Sequence, residues 1–209
     1  MSDFNPAAVD DPPNDRLQLI AAIILGLAAT LTAVSAYKAA LLDGDALSGY
    51  TESTAKLNDA NAFNAQGNST EALDQQLFVQ YASAAQSGNE EFADYLTTLM
   101  RPELVKAIDW WQGSEDAATP FDEADDNPYV VQDYEDRAEL EEEAESAFKA
   151  GAAADEQGDK FELATVLLAL TLFFAGVGTL FKRRPVSVGL LGISGVVLLA
   201  GAIQLVSAL

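Results

Sequence analysis

Apolar residues run almost without interruption through residues 17–42, 161–181 and 186–209, stretches of 26, 21 and 24 residues. A helix of about 20 residues spans the hydrocarbon core of a bilayer, so each stretch predicts a transmembrane helix. Residues 43–160 between the first two spans are polar, and their apolar positions recur at helical spacing rather than in alternation. Residues 46–66 predict a helix with Leu47, Tyr50, Leu57 and Phe63 as scattered contacts. Gly67-Asn68 reads as a stop and a new start, because Asn68 stands three residues before Glu71 in capping-box spacing. Leu73, Leu77, Phe78, Tyr81 and Ala85 then share a face, and Gly88-Asn89 interrupts it.

Phe92, Tyr95, Leu96, Leu99 and Met100 line a further helix, and Pro102 ends it or opens the next. Leu104, Val105, Ile108 and Trp111 form another stripe. Residues 113–128 are rich in Pro, Gly and acids and predict an exposed loop. A long helix follows from about Val131, with Leu140, Ala144, Ala147, Phe148 and Gly151 on one side, running towards the second span with a bend near Gly158. The expectation is an all-α integral membrane protein. It comprises an acidic tail (1–16), a first span (17–42), an acidic helical domain (43–160), a second span (161–181), a basic turn (182–185) and a third span (186–209). Phe63, Phe78, Tyr81, Phe92, Tyr95, Leu96, Leu99 and Phe148 are expected in one core.

Charge sharpens this division. Residues 43–160 hold 28 Asp and Glu against 6 Lys and Arg, a net of −22, and the remaining residues sum to zero. Such a surface repels nucleic acid and anionic head groups and attracts cations or a basic protein partner. With no Cys, disulfides and thiolate metal sites are excluded; with no His, the usual general base near neutral pH is missing. No nucleophile–base pair or phosphate-binding loop is recognisable, and no cofactor is expected.

Lys182, Arg183 and Arg184 form a short basic connection between the second and third spans, and short basic loops stay cytoplasmic. The N-terminus is then cytoplasmic, and residues 43–160 and the C-terminus lie outside the cell membrane. Val34-Ser35-Ala36 resembles a signal-peptidase site, but the preceding segment is acidic and the apolar run long, so the first span is read as an uncleaved anchor.

Arg101-Pro102-Glu103-Leu104, continuing through Ala107, Asp109 and Trp110-Trp111, and Gly158-Asp159-Lys160-Phe161, leading into residues 167–178, resemble segments of a family of uncharacterised prokaryotic three-span membrane proteins. The resemblance implies an N-terminal span, a helical extracytoplasmic region and two closing spans. It implies no activity.

Four groups of residues stand out as candidates. Small residues recur at helical spacing in the spans: Ala22, Gly26 and Thr30; Thr171, Ala175 and Gly178; Ser187, Ser194 and Gly201. They allow close helix approach, either within one chain or between copies in a homo-oligomer. Lys38, Asp159, Glu162 and Gln204 gather near the outer interface, where a Lys38–Glu162 pair would set opposite charges at one depth. Asp122, Glu123, Asp125 and Asp126 offer oxygen ligands for a hard cation, without helix-loop-helix calcium spacing. Asn68-Ser69-Thr70 matches a glycan acceptor, and Trp110-Trp111 reads as core, partner anchor or interfacial belt.

The function expected from these residues is a non-enzymatic, membrane-anchored scaffold that presents its acidic domain for self-assembly or partner binding. A pore subunit and, less favoured, a carboxylate-based enzyme are the alternatives. The orientation has a direct check: protease added to intact cells is expected to cleave within residues 43–160, and protection of that segment until the membrane is permeabilised would reverse the topology.

Overall fold

A computed structural model describes residues 15–181 and 183–209; residues 1–14 of the acidic tail and Lys182 of the basic turn lie outside the described residues. The described residues form five helices: α1 (Asp15–Gln86), α2 (Glu90–Thr97), α3 (Pro102–Gly113), α4 (Gln132–Leu180) and α5 (Arg184–Ala208). No strand occurs among the described residues. The helices α1, α4 and α5 are each long and apolar enough to cross a membrane.

The break expected at Gly67-Asn68 does not exist, for α1 runs unbroken to Gln86. These residues serve Tyr134 instead. A Cβ on Gly67 would lie 2.6 Å from its ring, and Asn68 and Glu71 both accept a hydrogen bond from its hydroxyl, at 2.9 and 2.8 Å. Asn68 therefore stands inside a helix, a poor setting for a glycan acceptor, which favours a surface loop. The break at Gly88-Asn89 is real: Gly88 adopts φ +74°, and Asn89 caps α2 by accepting from Phe92 N. Likewise α4 continues through Gly151 and Gly158 without interruption.

Two compact units divide the described residues: one ends at Tyr50 and resumes over Lys149–Leu209, and the other is Thr51–Phe148. In the first, α1, α4 and α5 pack through small side chains at seven-residue intervals. Ala21, Ala28 and Ser35 are buried on α1, as are Ala39 and Ala46. On α5, Ser187, Ser194, Gly201 and Ala208 face inward. Thr171, Ala175 and Gly178 are buried on α4, with Phe161, Ala164 and Leu168 completing that face. Lipid tails offer no hydrophobic incentive for helices to associate, so close contact and interhelical hydrogen bonds must do it. Ser35 Oγ donates to Phe161 O at 2.7 Å, Ser194 Oγ to Thr171 O at 3.0 Å, and Ser187 Oγ to Gly178 O at 2.8 Å. A Cβ on Gly151 would meet Ala46 O at 3.0 Å and Tyr50 N at 3.2 Å, and one on Gly201 would meet Leu168 Cγ at 3.0 Å.

In the second unit, α1 and α4 run antiparallel, with Ser53, Ala60, Gly67 and Asp74 as the inward positions of α1 and Ala144 on α4. Lys56 pairs with Glu143, and Arg137 Nη1 donates to Asn64 Oδ1 at 3.1 Å. The core lies beside this pair, where Phe78, Ala84, Ala93, Leu96, Met100, Leu104 and Ile108 are buried together. Rings of Trp111 and Phe121 meet Phe78 edge-on at 5.2 and 5.6 Å. Of the eight residues expected in one core, Phe78 and Leu96 are buried, whereas Phe92, Tyr95, Leu99 and Phe148 are exposed by 43–56%. The helix α2 is too short to bury more than one face, and Ala93 and Leu96 take it, with Met100 buried in the turn that follows.

Close approach at Gly151 makes a sharp contrast testable. Gly151→Val is expected to destabilise the purified protein by about 1–3 kcal/mol, because backbone atoms rather than a flexible side chain oppose the new group. Gly26→Ala, which meets nothing within 4 Å, is expected to leave the thermal midpoint unchanged or slightly raised. Equal midpoints for the two variants would contradict the packing described.

Candidate functional site

The strongest concentration of polar contacts in the second unit surrounds Asp74. It occupies an inward position of α1, seven residues after Gly67, and is 1% exposed. Three donors converge on its Oδ2: Arg101 Nε at 3.0 Å, Arg101 Nη2 at 2.5 Å and Tyr129 Oη at 3.0 Å. Each partner is positioned by local chemistry. Pro102 opens α3, where its missing N–H costs nothing, and restricts Arg101 to extended backbone (φ −65°, ψ 149°). The Arg101 side chain makes no helix-capping bond and reaches Asp74 instead, donating also to Val130 O at 3.3 Å.

Tyr129 is held by the acidic loop. Asn127 Oδ1 accepts from Tyr129 N at 2.9 Å, while Asn127 Nδ2 donates to Pro120 O and Asp122 O at 3.0 and 2.8 Å. The Tyr129 ring lies edge-on to Phe121 at 4.9 Å, with the Arg101 guanidinium 5.8 Å from its centroid. Burial, then the Asp74 charge, pushes the Tyr129 phenol well above its ordinary value of 10.0. Burial works against the Arg101 cation, but its hydrogen bonds to Asp74 and the carboxylate's charge prevail and raise its pKa. Nothing in this arrangement supplies a reactive group: the arginine is fixed as a cation, the phenol as a neutral donor, and the carboxylate oxygen is occupied by both. Its chemistry is cohesion, joining α1, the start of α3 and the loop.

The loop acids are not gathered around one point. Asp122 accepts from Ala118 N and Thr119 Oγ1, both at 2.6 Å, and the Thr119 bond foremost lowers its pKa. Glu123, Asp125 and Asp126 are exposed. No three acids gather in ligand geometry among the described residues. Asp122 and Glu123 do line a recess of 260 Å³ with Glu71, Phe121, Tyr129 and Tyr134.

In the first unit, Lys38, Asp159 and Glu162 are all exposed, and no ion pair joins Lys38 to Glu162 among the described residues. Their helix neighbours Ala39 and Phe161 take the inward positions, which turns both charges outward. Gln204 Nε2 reaches Lys160 O at 3.4 Å, and Gln157 Nε2 reaches Ala208 O at 3.2 Å. Arg183 and Arg184 are exposed at the start of α5. The packing residues divide in two: those named on α4 and α5 are buried, whereas Ala22, Gly26 and Thr30 on α1 are exposed, with Thr30 Oγ1 returning to Gly26 O at 2.9 Å. Trp110 and Trp111 are both half-buried, and Trp111 joins the core.

Comparison of the chain with known protein families, with curated proteins and with solved structures finds no match.

Removing the cation from Asp74 should be costly. Arg101→Met is expected to destabilise the protein by roughly 3 kcal/mol, the lower end for a broken buried pair because the Arg101 side chain is 31% exposed. Asp74→Asn should cost less, since Arg101 retains access to water. The raised Tyr129 pKa means that its contribution to stability is intact below pH 10 and is lost as pH rises further. Ultraviolet titration should show a late-ionising phenol that disappears in Tyr129→Phe; an unchanged titration would place Tyr129 outside the buried pair.

Proposed function

We propose that this chain is a membrane-anchored helical scaffold that displays its acidic helical segment outside the cytoplasm for self-assembly or partner binding. The observation that carries the reading is the distribution of its acids. Asp74 is the single Asp or Glu buried among the described residues, and it is neutralised by Arg101. The other described acids are left at the surface, where a strong negative field selects partners and steers their approach. Polar side chains of the spans tie helices together: Ser35, Ser187 and Ser194 each bond a carbonyl of α4. This favours a filled anchor over a water-lined path through one chain.

Self-assembly has its own support in the exposed small face of α1, Ala22, Gly26 and Thr30, where nothing lies within 4 Å of a Cβ built on Gly26. The absence of Cys makes this face directly testable. In native membranes, oxidised Gly26→Cys is expected to give a cross-linked dimer, while Ala28→Cys, buried in the same helix, is not. Monomer alone from Gly26→Cys would remove self-assembly through this face. Unitary conductance in planar bilayers that changes with Glu162→Gln would replace the scaffold with the pore reading.

A further inference from the structure

The helix α2 and the turn that follows it are apolar on two sides. Ala93, Leu96 and Met100 face the core, and Phe92, Tyr95 and Leu99 stand on the outside at 43%, 56% and 53% exposure. Phe92 and Tyr95 lie three residues apart on α2, and Leu99 follows in the turn after its C-cap, Thr98. The rings of Phe92 and Tyr95 stack with centroids 6.5 Å apart. Phe92 also forms a wall of a 370 Å³ groove shared with Val79, Gln80, Ser83, Ala84 and Ser87 of the neighbouring helix segment. Val79 is 65% exposed, so apolar surface continues across the groove.

The charges on α2 itself have one sign, and the nearest base in sequence, Arg101, is taken up by Asp74 and Glu103. Residues 57–100 include six Asp and Glu and no Lys or Arg. Glu90, Glu91 and Asp94 share α2 with Phe92 and Tyr95, are exposed, and enter no ion pair among the described residues. A large apolar strip rimmed by unpaired acids is complementary to a segment of the opposite pattern. We infer that this face docks a basic amphipathic segment of another protein, whose Leu or Phe side chains enter the groove beside Phe92 while its Lys or Arg side chains meet Glu90, Glu91 and Asp94. This deepens the scaffold reading and rests on it. A second copy of the chain would bring the same acids against these, and anionic lipid would be repelled. Aromatic anchors supply most of the affinity of such an interface, and the surrounding charges supply its rate and salt dependence.

The test uses the full chain in nanodiscs of zwitterionic lipid, with protein-free nanodiscs as the background. The probes are a fluorescent Leu/Lys amphipathic peptide and a Leu/Glu peptide with the same apolar stripe. Only the Leu/Lys peptide is expected to bind the protein. The double variant Phe92→Ser, Leu99→Ser should weaken binding by about tenfold or more. The triple variant Glu90→Gln, Glu91→Gln, Asp94→Asn should weaken it similarly and flatten its dependence on salt. All five side chains are exposed, and unchanged thermal midpoints would show that either variant retains the fold; the charge variant decides if the apolar one unfolds. Undiminished binding by a folded apolar variant would reduce the attraction to general electrostatics and overturn the proposal. So would equal binding of both peptides, peptide signal matching protein-free nanodiscs, or Tyr95→Cys cross-linking copies of the chain to one another. Failure here with Gly26→Cys dimers intact would leave the scaffold reading standing.

Discussion

A carboxylate that is 1% exposed must be paired, and Asp74 takes its partners from residues 27 and 55 positions further along the chain. That requirement organises the second unit. Arg101 can reach Asp74 only if the chain turns back after α2 and is held extended at Pro102. Tyr129 can reach it only if the acidic loop is folded on Asn127 and Asp122. One buried oxygen therefore fixes the start of α3 and the approach to α4 against α1. The apolar core around Phe78 supplies the larger burial, yet apolar contacts are not directional and tolerate repacking. A buried charge does not, because displacing either donor leaves it unsatisfied.

The spans meet a different constraint. With lipid on the outside and no water to expel, their contact depends on how near the backbones come and on which carbonyls accept a hydroxyl. Small residues every seventh position serve the first need, and Ser35, Ser187 and Ser194 serve the second. The same interval recurs in the second unit as Ser53, Ala60 and Gly67. There the pairing is with water-exposed helix surface, and bonds such as Arg137–Asn64 reinforce it.

Three spans and an all-helical connection were legible because long apolar runs and 3.6-residue periodicity survive without tertiary context. The inward faces of α4 and α5 were legible for a related reason: small residues stand out there among Leu, Val and Phe. In the first span they do not stand out, because Ala, Gly, Ser and Thr fill 12 of its 26 positions and occur on every side of the helix. Ala22–Gly26–Thr30 and Ala21–Ala28–Ser35 then look alike, and only the neighbouring helix distinguishes them. The Gly67-Asn68 stop was misread because glycine carries two meanings, chain reversal and close approach, and Tyr134 sits 67 residues away. Asp74 was illegible for the same reason that it matters. One acid among 28 looks like surface until its seven-residue phase with Ser53, Ala60 and Gly67 is noticed, and its partner, Arg101, was visible only as part of a short motif.

The seven-residue interval also governs how these helices tolerate changes in length. Each residue advances a helix by about 100°, so one inserted residue between Ser53 and Gly67 would turn the earlier inward positions a quarter-circle away from α4. Neighbours such as Thr54 or Asn61 would swing towards the contact in their place. An insertion or deletion of seven, close to two full turns, restores the phase to within about 20°. Length variation among sequences sharing this architecture should therefore come in whole heptads inside α1 and α4, matched between the two, while the loop between α3 and α4 escapes that restriction wherever Asn127 and Tyr129 keep their spacing.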